Sequence, residues 1–104
     1  MTGANTTREL RLPIPREHRC FADHFPGAPL VPGALLLKWI MALLAEAKCG
    51  HVNYLKQIKF LAPVQPGDEL RICVAPSAVA QTLTVAAYNG EALVLKGQVE
   101  CIYD

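Results

Sequence analysis

Apolar and polar positions alternate at the start of the chain. Leu10, Leu12 and Ile14 share one parity, with Arg11 and Pro13 between them, which predicts a short strand. Pro13 and Pro15 have no N–H to give a ladder, so this strand is expected at a sheet edge or at its own ending. From Pro15 to Gly33 the alternation stops, and prolines and glycines recur too often for helix or ladder. Phe21, Phe25, Leu30 and Val31 are nevertheless apolar enough to seek burial. An ordered loop that lines something is the expectation.

The period then lengthens. Ala34–Lys48, rich in alanine and leucine, predicts the one long helix, opening after Pro32-Gly33 and closing at Cys49-Gly50, where Gly50 suits a left-handed cap. Leu35, Leu36, Leu37, Trp39, Ile40, Met41, Leu43 and Leu44 cover nearly its whole circumference, so burial on all sides is expected. Alternation returns with Val52, Tyr54, Ile58 and Phe60 on one parity across 52–61, followed by a turn at Pro63–Asp68. Leu70, Ile72 and Val74 mark a third strand. Leu83, Val85 and Ala87 mark a fourth that runs into the hairpin signal Asn89-Gly90. Leu93, Leu95, Val99, Cys101 and Tyr103 share a face of the last strand. The predicted fold class is α+β: an antiparallel sheet of about five strands wrapped around one buried helix, about 34–48.

At 104 residues the chain is expected to be a single domain, 1–104, with residues 1–7 disordered. With 52% hydrophobic and 18% charged residues it is too apolar for a disordered chain, and the apolar excess suits an oligomer. A net charge of +1 offers no grip on nucleic acid. No stretch is long and apolar enough for a membrane span, and no signal-peptide pattern precedes residue 10, so a cytoplasmic protein is expected. Cys20, Cys49, Cys73 and Cys101 have neither metal nor dithiol spacing and read as small apolar side chains. No metal site is expected. His18 and His51 show no partner spacing, and Arg16, Arg19, Lys56 and Lys59 read as a solvated basic rim, with contact to an acidic carrier protein as the alternative.

The chemistry concentrates in His24-Phe25-Pro26-Gly27-Ala28-Pro29-Leu30-Val31-Pro32-Gly33, which carries a histidine to the start of the apolar helix. Free N–H groups at a helix N-terminus can hold a carbonyl oxygen that gains negative charge, and a nearby imidazole can take a proton from the adjoining carbon. This segment and the later Lys59–Leu70 (KFLAPVQPGDEL) resemble the hotdog-fold 3-hydroxyacyl-acyl-carrier-protein dehydratases, with matching strand order from about Leu10 onward. Lys38-Trp39, where some members have Asp-Trp, is similar to the small dehydratases of aryl-polyene pigment pathways.

The resemblance implies His24 as the base, Gly33 as the amide that polarises the thioester, and an acyl chain along the helix. Phe25, Pro32, Ala34 and Leu37 would line the substrate site. It also implies a homodimer with paired edge strands, substrate carried by acyl carrier protein or coenzyme A, and no cofactor beyond the carrier's phosphopantetheine. The family's carboxylate for the departing hydroxyl, which the partner subunit supplies, falls fourteen positions after His24 on Lys38. Lys38 can donate a proton but cannot accept as a carboxylate does. It could act as the acid, hold a phosphopantetheine phosphate, steady an oxyanion, or only extend its head to water. Asp23 could orient His24, whereas Glu46 lies roughly 12 Å along the helix from position 38, too far to substitute. The expected function is dehydration to a trans-2-enoyl thioester. The alternatives are a catalytically degenerate hotdog subunit or acyl-binding module, paired with an active paralogue, and a thioesterase.

Overall fold

The alternating segments form β1 (Arg8–Pro13), β2 (His51–Phe60), β3 (Glu69–Pro76), β4 (Thr82–Asn89) and β5 (Ala92–Ile102), and the alanine- and leucine-rich stretch forms helix α1 (Gly33–Glu46). This is a computed structural model that describes residues 7–16 and 31–102. The expectations for residues 1–6, for the loop that carries His24 and Phe25, and for Tyr103 lie outside the described residues.

The strands make one sheet in the order β1-β3-β4-β5-β2, every pair antiparallel. β1 is an edge strand, as its proline requires. Leu36, Ile40 and Leu44 of the helix join Leu70, Ile72, Val85 and Leu95 of the sheet in one buried core. That is the predicted sheet wrapped on a helix, the one helix among the described residues. No helix among the described residues is long and apolar enough to cross a membrane.

Four local expectations are corrected. The helix is buried along one face, not all round. In the single chain Ala34, Lys38, Ala42 and Glu46 form an exposed stripe, because a helix on one sheet face touches protein on only one side. The left-handed residue that ends the helix is Lys48, with φ 61°, while Gly50 (φ 120°) follows outside the cap. The Cys49 N–H reaches the Leu44 carbonyl at 2.8 Å and the Lys48 N–H that of Ala45 at 3.1 Å, the paired bonds of a Schellman motif. Arg8 Nη1 satisfies another orphan carbonyl there, donating to Ala47 O at 2.7 Å.

β2 does not keep one parity. Register shifts between Val52 and Tyr54 and between Lys56 and Lys59 reverse its faces. Val52, Leu55 and Ile58 therefore pack on the core, while Tyr54 and Phe60 are 58% and 50% exposed. Each inserted residue moves the following side chains to the opposite face. The β4–β5 hairpin turns one residue later than predicted. Asn89 pairs with Ala92, so the two-residue loop is Gly90-Glu91, with Gly90 supplying the positive φ of 63°.

Candidate active site

Pro32 is the N-cap of α1, extended at φ −61° and ψ 142°, and has no side-chain hydrogen bond to offer the first turn. Its fixed φ suits the entry, and its carbonyl accepts the Leu36 N–H at 3.0 Å. The preceding residue is pinned from the other side, since Val31 N–H donates to Val64 O at 2.8 Å. That bond ties the helix start to the segment that leaves β2. The N–H groups of Gly33 and Ala34 meet no acceptor among the described residues, and no acidic residue occupies the first turn. The helix N-terminus thus presents donors carrying roughly half a positive charge, with no group among the described residues to neutralise them.

Beside these amides lies an open cavity of about 450 Å³, whose lining includes Gly33, Leu36, Phe60, Leu61 and Pro63. All are apolar or backbone. The Phe60 ring lies on Gly33 so closely that a Cβ there would stand 2.9 Å from Cζ. Phe60 and Leu61, 50% and 49% exposed, leave large apolar surfaces at the mouth. An apolar wall beside free backbone donors is able to take an apolar chain and a carbonyl oxygen.

Gly33 lines this cavity, whereas Pro32, next to it, is exposed and does not. Ala34 follows them on the exposed stripe, and Leu37 is half-buried against the core. Lys38 is exposed on the same stripe, roughly 7–8 Å along the axis from Gly33, and does not line the cavity. His24 and Phe25 lie outside the described residues. The alternation marks Phe60 and Leu61 as strand positions, and the structure adds them to the cavity lining. Their place in KFLAPVQPGDEL was the signal that could have marked them as site residues.

The model of the ApeI-like family, the ApeI dehydratases, matches residues 1–98. The chain belongs to this family. It is also similar to the curated 3-hydroxyacyl-acyl-carrier-protein dehydratase FabZ of Haemophilus influenzae, 34% identical over 92 residues that span 79% of this chain and 60% of that one. FabZ of Mannheimia succiniciproducens is 37% identical, with 79% and 59% spanned. The chain therefore covers about three-fifths of the length of these relatives. Among solved structures, the dehydratase heterocomplex ApeI:P from Xenorhabdus doucetiae superposes with a TM-score of 0.75 at 23% identity, covering 98% of this chain and 93% of that one. The (R)-hydratase from A. caviae involved in PHA biosynthesis gives 0.75 at 23%, covering 97% and 96%. At these identities the structures establish the shared hotdog fold.

Proposed function

We propose that this chain dehydrates a 3-hydroxyacyl thioester on acyl carrier protein to the trans-2-enoyl thioester. The match to the ApeI dehydratases over residues 1–98 carries the reading, and the open helix N-terminus beside an apolar cavity is the geometry it needs. His24 takes the C2 proton while the Gly33 N–H donates to the thioester oxygen as negative charge gathers there. The C2 electron pair becomes the C2–C3 double bond as the C3–O bond breaks, and an ammonium proton turns the departing hydroxide into water. Lys38 supplies that proton. Its place on the exposed stripe, away from its own chain's cavity, supports donation from the partner's Lys38 in a homodimer. The thioester itself acidifies C2, so the reaction calls for no dissociable cofactor. Coenzyme A is the alternative carrier, and a cytoplasmic setting with those carriers completes the reading.

A second reading is favoured by the lysine itself. A chain with Lys38 in place of a carboxylate could be one half of a hotdog heterodimer whose other half holds the acid, and the ApeI:P neighbour is described as a heterocomplex. Incubating the purified protein with a 3-hydroxyacyl phosphopantetheine thioester and following loss of water by mass spectrometry separates the two. Turnover that vanishes in His24→Ala and falls in Lys38→Ala supports the first. An inert wild type that gains activity as Lys38→Glu supports the second, and inertness of every variant across short and long acyl chains removes both.

A further inference from the structure

On β2 and β5, Lys59 and Lys96 stand directly opposite each other as register partners. Like charges in that position repel across the ladder. Neither makes an ion pair among the described residues, although Lys56, in the same strand, is bridged to Glu100 at 2.8 Å. The two lysines border an open cavity of about 470 Å³ whose other polar lining is Gln57, Thr84 and Gln98. Alternation assigns this cavity to the sheet face opposite α1. Lys96 lies between buried Leu95 and half-buried Gly97, and exposed Thr84 lies between buried Leu83 and Val85.

The hollow has a backbone cause. The β2 register shift between Lys56 and Lys59 leaves Gln57 left-handed at φ 54°, so the ladder is irregular where the cavity opens. The result is a concave site with two uncompensated ammonium groups, two amides and a hydroxyl, and no carboxylate in its lining. We propose that this cavity binds a phosphate-class oxyanion. One dianion between Lys59 and Lys96 replaces their repulsion with two attractions, and the cavity is larger than a bare phosphate, so an organic phosphate monoester fits the class best. The site lies on the face away from Gly33 and does not depend on the dehydratase reading.

The test is a titration of the full chain followed by amide NMR, using inorganic phosphate, pantetheine 4′-phosphate, and sodium chloride at matched ionic strength. Expected are saturable shifts at Gln57, Lys59, Lys96, Gly97 and Gln98 with Kd of about 1 mM or tighter for phosphate and tighter still for the monoester. Lys59→Gln and Lys96→Gln should each weaken binding by about tenfold, whereas Lys48→Gln, at the far end of the helix, should not. Both exposed substitutions should leave the melting temperature without phosphate unchanged or raised, because they relieve repulsion. Preference for the monoester identifies an organic source, and equal binding identifies free phosphate; either upholds the oxyanion site. Shifts that follow chloride equally, or that survive in the Lys59→Gln/Lys96→Gln double variant, overturn it.

Discussion

Asp68 holds Asn89. Its Oδ2 accepts the Asn89 Nδ2–H at 3.0 Å and, on the same oxygen, the Gln65 N–H at 2.9 Å. One carboxylate thereby closes the Pro66-Gly67 turn and braces it to the end of β4. The Asp68 carbonyl takes the Ile14 N–H at 2.7 Å, so the strand that begins the sheet is tied in at the same point. Asp68→Ala should destabilise the fold by about 1–2 kcal/mol, and Asn89→Ala by less, because Asn89 contributes one of the two bonds. Urea midpoints of the two variants and of the double variant test this. Strictly additive losses would mean the two side chains do not interact.

Phe60 over Gly33 gives a prediction about the site. Gly33→Ala forces the ring aside, since the new Cβ would stand 2.9 Å from Cζ. The ring is half-exposed and can give, so the fold should survive with a stability change within about 1 kcal/mol. Dehydration should fall by roughly 10–100-fold through misplacement of the amide and its cavity wall. The double variant Gly33→Ala/Phe60→Ala should recover part of the loss in an enoyl-formation assay.

Gly97 behaves differently. A Cβ there would lie 2.5 Å from Ile58 Cδ1, 3.0 Å from Ile58 Cα and 3.2 Å from the Gln57 carbonyl, and backbone cannot step aside as a ring can. Gly97→Ala should cost about 1–3 kcal/mol by overpacking and shift β2. Thermal denaturation gives the size, and amide exchange in β2 shows where the strain goes.

The cap of α1 can be improved. Lys48 adopts φ 61° in a Schellman motif, a conformation that strains a residue with a Cβ and leaves glycine unstrained. Lys48→Gly should stabilise the protein by about 1 kcal/mol, read as a higher denaturant midpoint at unchanged slope. A lower midpoint would show that the left-handed geometry is not kept in solution.

Burial pushes the Cys101 thiol above its ordinary value of 9.0, and the neighbouring Cys49 adds to the shift. The unfolded chain gives up this proton at lower pH than the folded one. The contribution to stability is therefore intact below about pH 9 and lost as pH rises through the folded value. Unfolding free energy measured from neutral pH into the alkaline range should fall less steeply in Cys101→Ala than in wild type. An identical alkaline slope would assign the decline to other groups.

The composition, the periods of the apolar residues and the two motif segments determined the class of fold, the order of its elements, the edge position of β1 and the start of the helix at Pro32-Gly33. Each is local: a period of two or 3.6, a proline without a donor, or a glycine at a helix start is visible in a few neighbouring residues. Tertiary structure decided what depends on two distant segments meeting. Tyr54 and Phe60 leave the core because bulges in β2 answer the register of β5, and Asn89 yields the hairpin loop to Gly90-Glu91 while bonding Asp68. The resemblance implies Lys38 acting from the partner, and the packed helix sets it on an exposed stripe away from its own chain's cavity. The lysine pair Lys59 and Lys96 arises only when two strands align, because register is a property of the pairing and neither strand encodes it alone.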